Sequence, residues 1–512
     1  MGLMEGLKNM IQSWLEITPA QKDTVIVEEA MDHQTNVAKN RLWQRGDPYE
    51  LQQLYKNNNI HKDDAMFWGS VPSKPIRKIH TGLPGLIVDR LTDIVVRDMN
   101  DVELDSGGEG KMNRKEEWEA IADESENNFS DMIKTAISET LVTGDGAFKI
   151  SFDTSLTDQP IIEFYPADRV EFDYKRKRLR EIVFKTILKD KDKRKYTLLE
   201  HYGWGYIKYQ LLDQRGELTD LGVLPETSGL VNVGFGGYTE GSDGKMKTRG
   251  NYMMAVPLKF FDSPKYPGRG MSILDRKIYD FDAFDEIVSQ WADAVRRGRA
   301  QTYIPDSMVP KDGNGRNIIP SAFENNWIAV GRDMSENAQN KIQTEQPDIP
   351  AENYLQTYIT FLDLCLQGLI SPSTLGIDTK KIDNAEAQRE KEKATLYTRN
   401  AIVDALTPAI RKLVRYSLMA VDSHNQKENP AVLDMAVDIN FGEYANPSFE
   451  AVVETVGKAK TQGIMSTETC VDEMYGDSKD DDWKRKEVAR IKAEQGIQSM
   501  EEPDLQSDLI LN

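Results

Sequence analysis

Seven apolar residues, Leu274, Ile278, Phe281, Phe284, Val288, Trp291 and Val295, recur at spacings of 4, 3, 3, 4, 3 and 4. That alternation holds a narrow stripe on one side of an α-helix, the pattern by which one long helix packs along another. The breaker Pro267-Gly-Arg-Gly270 precedes it, and Ser272 with Asp275 three residues on makes a capping signature. The helix is therefore predicted from Ser272 to Arg297, about 40 Å at about 1.5 Å per residue. A second long helix returns over Asn353–Ile370 and breaks at Pro372. Between the two lie the short apolar runs Gln301–Ile304 and Trp327–Val330, flanking a turn at Asp312-Gly-Asn-Gly315, which read as a small α/β insertion.

After the break comes a polar loop, Gly376-Ile-Asp-Thr-Lys-Lys-Ile-Asp383, and then a third helix. Asp383 is its predicted cap with Glu386 at the third position, and it runs to about Met419 with a kink expected at Pro408. The tail after Asn446 is helical and acidic, ending in the sparse Glu501-Glu-Pro segment.

Upstream, residues 1–145 read as mostly helical: Pro48–Tyr55, Pro84–Val96 and Trp118–Leu141 each carry apolar residues at helical spacing. A polar loop separates the last two at Asp105–Lys111. The period then changes from 3.6 to 2. Short alternating runs follow one another at Ala147–Phe152, Ile161–Tyr165, Val170–Phe172, Ile182–Leu188, Tyr196–Tyr202 and Tyr206–Leu212. Turn-like punctuation separates them, so an antiparallel meander is expected, with the Gly-rich Gly234–Gly250 loop joined to it.

The chain has 512 residues, which allows roughly three folding units. Its 64 Lys and Arg against 84 Asp and Glu leave a net charge of −20, which argues against a surface built to hold nucleic acid tightly. The two cysteines, Cys365 and Cys470, exclude a disulfide framework and a Cys-type zinc site. The amphipathic N-terminal stretch with Leu3, Leu7, Ile11 and Leu15 is too short and too charged for a signal peptide. Gly6 stands where a myristoylation signal wants Ser or Thr. No run approaches 18 consecutive apolar residues, so no membrane span is expected.

Catalytic signatures fail one by one. The stretch Gly234–Lys245 has Thr239 where a phosphate-binding loop needs glycine, and Met246 where it needs Ser or Thr. His33, His61, His80, His201 and His424 are too scattered for a helical zinc site, and no serine sits in a nucleophile elbow. Acidic clusters occur at Asp280, Asp282, Asp285 and Glu286 and again at Asp480–Asp482. Two-metal chemistry needs carboxylates held rigidly by different elements so that two ions sit about 4 Å apart, whereas these lie on one helix each and have solvent as their simpler neighbour. No catalytic, cofactor-binding or metal-binding residue is assigned. Arg296, Arg297 and Arg299 end the first long helix, where they complement its dipole and are also placed to meet a partner.

Two long helices with extended apolar faces and a small domain at their far end gain little in a lone chain; in a ring, the faces pack on a neighbouring copy. Five segments, in this order, carry a resemblance. They are Leu141–Ile150 with Phe164–Asp173, then Gly270-Met-Ser-Ile-Leu-Asp-Arg-Lys277 running on to Ala300, then Tyr354–Ile370, then Asn384-Ala-Glu-Ala-Gln-Arg-Glu-Lys391, and last Met465–Met474 leading to Arg490. Over most of residues 40–495 the chain resembles portal proteins of tailed bacteriophages, of the type found in long-tailed phages of Gram-positive hosts.

The resemblance implies an α+β portal-type subunit in a ring, usually of twelve copies, at one capsid vertex. Residues 1–270 would be the wing, 271–298 and 353–371 the stem, and 299–352 the clip. Residues 372–385 would be a tunnel loop, 386–446 a linking long helix, and 447–512 the crown and acidic tail. Ile278, Phe281, Phe284, Val288, Trp291 and Val295 would pack the stem, Lys380 and Lys381 would face double-stranded DNA, and Arg296, Arg297 and Arg299 would meet a partner at the clip. The implied partners are the terminase large subunit, then a head-tail adaptor, with major capsid and scaffolding proteins around the ring; no membrane and no cofactor take part. The implied location is the virion, with the host cytoplasm during assembly. An acidic wall suits passage, because it does not trap a polyanion. Two rival readings stay open: a metal-dependent nuclease or packaging enzyme using the acidic clusters, and a monomeric structural or adaptor protein.

Overall fold

Asp32 accepts the Thr35 N–H at 2.7 Å and so starts α1 (His33–Arg45), which ends where left-handed Gly46 bonds back to Leu42. In α2 (Pro48–Asn57), Pro48 takes the first position and Asp47 accepts from the Tyr49 and Glu50 N–H groups. Then come α3 (Leu83–Arg97), the short strand β1 (Glu103–Leu104), α4 (Arg114–Ala122) and α5 (Phe129–Thr143). The single helix predicted over Trp118–Leu141 is thus two. Asn127 divides them by donating to the Ile121 and Pro160 carbonyls and accepting from the Ile162 N–H, a local competitor to helical bonding. The computed structural model describes residues 31–57, 66–70, 76–104, 114–240, 246–299, 301–305, 308–309, 311–316, 318, 327–330, 342–346, 348–377, 385–425, 430–442, 449–475 and 481–494. The N-terminal amphipathic stretch, the loop at Asp105–Lys111, the Lys380–Lys381 pair and the cap at Asp383 lie outside them.

The strands that follow are β2 (Asp145–Ser151), β3 (Ile161–Pro166), β4 (Val170–Lys175), β5 (Arg178–Lys189), β6 (Lys195–Gly203), β7 (Tyr206–Leu212) and β8 (Leu218–Thr219). Next are β9 (Val233–Gly234), β10 (Thr239–Glu240), β11 (Met246–Thr248) and β12 (Ala255–Lys259). They pair antiparallel, but not as one meander. β4 to β8 run up and down in order with β9 beside β7, while β2 and β3 form a separate sheet in the order β12-β2-β3. Pro257 sits in β12 opposite Ala147, which is tolerated because β12 is an edge strand with no ladder bond to donate on its outer side. The Gly-rich segment carries the small β10–β11 ribbon.

Two long helices then flank a small sheet. α6 (Ile278–Arg297) leads into β13 (Gln301–Pro305), β14 (Trp327–Val330) and β15 (Gln343–Glu345), and α7 (Ala351–Leu366) returns. β13 pairs parallel with β14 and antiparallel with β15. α8 (Ala385–His424) runs through Pro408 without ending there and extends beyond Met419. Its residues Leu406, Ile410, Leu413 and Val414 are buried in the main core together with Ile87, Ile137, Phe148 and Val256 from the earlier layers. A final short strand, β16 (Val437–Asp438), pairs with β1 across most of the unit's sequence.

By contact, the chain divides into Met1–Phe441 and Gly442–Asn512. The second unit contains α9 (Phe449–Thr461), α10 (Thr467–Tyr475) and α11 (Asp481–Glu494). Tyr475 packs edge-on against Trp483 at 4.9 Å, and Lys484 reaches Asp472 at 2.8 Å. The architecture is α+β, with helices and mainly antiparallel sheets in separate blocks. Among the described residues no helix is long and apolar enough to cross a membrane.

Candidate functional site

The first long helix begins six residues later than its cap signature suggests. Ser272 and Asp275 do engage each other: the Ser272 N–H donates to Asp275 Oδ2 at 3.0 Å, and Ser272 Oγ accepts from Leu274 at 3.1 Å. They close a tight turn instead of a helix, with Lys277 bonding to the Leu274 carbonyl. Asp275 Oδ1 is held by the side-chain amides of Asn36 and Asn40 on α1, at 2.9 and 2.8 Å. That pull into the helical layer takes residues 272–277 out of line with α6.

Along α6 the apolar stripe changes its surroundings. Ile278, Phe281 and Phe284 are buried in the chain's own core, and Val288 packs against that core half-covered. The expectation that this face waits for a neighbouring copy is therefore wrong for its first half. Further out the stripe meets α7, which runs antiparallel. Phe284 packs on Tyr358 at 5.1 Å, Trp291 lies flat on Tyr354 at 6.1 Å and 3°, and Tyr358 stands edge-on to Trp291 at 6.2 Å. Gly298 closes the pair, since a Cβ there would run into the Ile349 side chain. Val295 is 52% exposed, and on α7 Leu355 and Leu364 are 47% and 40% exposed. The outer hairpin thus covers its aromatic seam and leaves aliphatic side chains uncovered. The i, i+4 spacing of Tyr354 and Tyr358 puts both on one face of α7, the signal in the sequence that marks them as seam partners of Trp291.

The arginines at the end of α6 are spent locally. Arg296 and Arg297 both pair with Asp293, the second at 2.6 Å, so a carboxylate that would oppose the helix dipole is neutralised. Arg299 is exposed.

Asp282 and Asp285 do not face solvent. Asp282 accepts the Phe67 and Trp68 backbone N–H groups at 2.8 and 3.2 Å. Asp285 accepts from Trp68 Nε1 at 3.1 Å and from both Thr81 N–H and Thr81 Oγ1 at 2.9 Å. Beside them Lys78 donates to the carbonyls of Phe67, Trp68 and Ser70. Burial raises both carboxyls against these donors, Asp285 to about 7. His80, with Nε2 at 3.8 Å from Asp285 Oδ2, is pushed down to about 4 by burial. The cluster pins two loops of the helical layer to α6. The two carboxylates are occupied by main-chain N–H groups, the Trp68 indole and the Thr81 hydroxyl. Among the described residues no group of three or more His, Cys, Asp or Glu is arranged to hold a metal ion.

Among the other described histidines, His33 packs edge-on to Tyr266 at 5.2 Å, His424 stacks on Phe152 at 4.6 Å, and His201 lies between Glu181 and Gln210 at 3.4 and 3.2 Å. Cys365 is a buried thiol raised to about 12 by burial.

Two segments quoted from the sequence as separate signatures meet in space. Arg269 sends Nε and Nη2 to the two oxygens of Asp145 at 3.0 and 2.8 Å, and its remaining donors to the Val170 and Ala167 carbonyls at 2.8 Å. Gly270 donates its N–H to Asp145 Oδ2 at 2.6 Å. Gly144 and Gly270 lie so close that a Cβ on Gly270 would collide with the Gly144 carbonyl. The turn before β2 and the breaker before α6 are one joint.

These features define an α+β chain with an antiparallel helical hairpin and a small sheet inserted in it. No protein-family profile and no curated protein matches the sequence. Among solved structures the chain is similar to a protein of the neck of an empty GTA (gene transfer agent) particle with C6 symmetry. Identity there is 12% over 75% of this chain and 87% of that chain, with a TM-score of 0.37. It is also similar to one of the neck of a native GTA particle with C12 symmetry, at 12% identity over 77% and 89% and a TM-score of 0.35. Superposition at this level does not assign a function.

Proposed function

We propose that the chain is the subunit of a portal-type ring at one capsid vertex, through which double-stranded DNA is packaged and later ejected. One observation carries the reading: the antiparallel α6–α7 hairpin with a three-stranded sheet at its far end, whose aliphatic side chains Val295, Leu355 and Leu364 stand uncovered. A single subunit gains nothing by exposing them, whereas a ring of copies covers them through a repeated heterologous contact. The net charge of −20 supports the same reading, because a duplex slides along a wall that does not bind it.

In this reading residues 1–270 form the wing, 271–298 and 353–371 the stem, 299–352 the clip, 372–385 the tunnel loop with Lys380 and Lys381, 386–446 the linking helix and 447–512 the crown. The clip, with Arg296, Arg297 and Arg299 at its base, docks the terminase large subunit and then the head-tail adaptor. Capsid and scaffolding proteins surround the wing in the virion and, during assembly, in the host cytoplasm.

Native mass and negative-stain imaging test the proposal. Twelve copies of a 58.1 kDa chain come to about 700 kDa. Annular particles of that order with an aperture admitting a duplex are expected; a single-chain mass, or rings without an opening, sinks the reading. Leu355→Asp, which puts a charge on the uncovered aliphatic side of the hairpin, is expected to abolish the ring peak while far-ultraviolet dichroism keeps the wild-type shape. Rings of normal yield from that variant would remove the hairpin from the interface.

A further inference from the structure

Cations are the minority charge here, 64 Lys and Arg against 84 Asp and Glu, yet five of the six residues from Lys175 to Arg180 are basic. They form the hairpin between β4 and β5. Lys175 pairs with Arg178 across the ladder, so the turn consists of Arg176 and Lys177, and both have positive φ, 51° and 61°. That is the type I′ pattern, in which Asn-Gly is favoured because a side chain at positive φ is strained. The chain accepts the strain at two successive positions and presents two cations at the tip. Departure from the local rule without a packing gain marks a place kept for function.

A second turn, Trp204-Gly205, lies at the same end of the sheet, since Glu181 on β5 stands opposite Gly203 on β6. Between the turns is a basin of about 1140 Å³ lined by Lys175, Arg176, Arg178, Arg180, Lys208 and Arg249, with Glu181 the one carboxylate among its lining residues. The Arg249 guanidinium lies 3.7 Å over the Trp204 ring, and Tyr206 packs on Tyr238 at 5.1 Å. Part of the charge is compensated: Arg180 pairs with Asp173 and Glu181, and Lys208 with Glu240. Lys175, Arg176, Lys177 and Arg178 are all exposed, and among the described residues none of them has an ion pair.

We infer that this basin binds the phosphodiester backbone of nucleic acid without reading its sequence. Guanidinium forks match phosphate oxygens two at a time, and a row of them on a protruding hairpin follows a backbone. An acidic protein would meet the same charge, but protein partners hold chiefly through buried apolar anchors, and the exposed apolar side chain next to the tip is Tyr174, 37% exposed. The site lies on the sheet, apart from the α6–α7 hairpin, and does not depend on the ring.

Fluorescence anisotropy with the full chain and a labelled duplex of random sequence, between 50 and 200 mM salt, tests the assignment. Log affinity should fall linearly with log salt, by about 0.9 per phosphate contacted. The double substitution Arg176→Asn with Lys177→Gly installs the favoured turn pair, so the hairpin is retained while two cations go. Affinity at 50 mM salt should drop about tenfold and the salt slope should shrink by about two. Unchanged affinity and slope overturn the proposal. Release of the duplex by polyglutamate more readily than by unlabelled duplex at equal charge also overturns it, by assigning the basin to an acidic protein segment. A single-chain mass with duplex binding intact would remove the ring and leave the basin standing.

Discussion

Arg269→Ala should unfold the first unit about 3–5 kcal/mol more easily than the wild type, the loss expected when one member of a buried ion pair is removed. The Asp145 side chain is 1% exposed, and burial already raises its carboxyl against the pull of Arg269 and the Gly270 N–H. Without the guanidinium the carboxylate loses two hydrogen bonds, and the Val170 and Ala167 carbonyls lose their donors. Arg269→Lys should recover less than half of the loss, because one ammonium cannot serve two carboxylate oxygens and two carbonyls at once. The double substitution Asp145→Asn with Arg269→Met should cost less than Arg269→Ala alone, since no uncompensated charge remains. Urea midpoints of the four proteins measure all three differences. A loss below about 1 kcal/mol for Arg269→Ala would show that water replaces the guanidinium and that the joint is not the hinge-pin of this fold.

Much of this fold is legible because helices and strands are local. The stripe from Ile278 to Val295 lies on one helix, and the alternating runs from Ala147 to Leu212 fall in strands apart from Phe152, one residue past the end of β2. What the sequence does not display is which distant segment completes each element. β12 contains Pro257, which lowers its strand signal, and its place beside β2 depends on a partner far back in the chain. The split of the expected meander into two sheets follows from that pairing. In the same way the Ser272 and Asp275 signature is real, but Asn36 and Asn40 on another helix decide that it closes a turn.

Site residues were legible to the same extent. Trp291 and its stripe could be placed on a face, but not the aromatic partners that cover it. Asp282 and Asp285 looked solvent-facing because four acids within seven residues have no local reason to be buried. Their donors come from Phe67, Trp68 and Thr81, about two hundred residues earlier. Net charge is a sum and does not display placement: in a chain whose total is −20, five cations share the β4–β5 hairpin.

Asp285→Ala should cost about 3 kcal/mol or more at pH 8, because three donors, Trp68 Nε1, Thr81 N–H and Thr81 Oγ1, are left buried without an acceptor. The pH dependence carries the sharper signature. Asp285 is raised from 3.8 to about 7, so the native state holds an extra proton in that window and stability falls as pH rises through it. His80 is lowered from 6.5 to about 4, so the unfolded state holds the extra proton there and stability rises as pH rises from about 4 to 6.5. The two slopes oppose each other in the wild type. Asp285→Asn removes the first and keeps an acceptor for Thr81, so its stability should climb with pH between about 4 and 6.5 and then level off. Measured against the wild type, the Asn variant should gain steadily from pH 4 to pH 7. A catalytic carboxylate would behave differently: the fold would tolerate its loss, and metal-dependent cleavage of linear duplex would disappear with it. Parallel pH profiles for the two proteins would show that the Asp285 carboxyl takes up its proton alike in the native and unfolded chain, so that burial does not raise it.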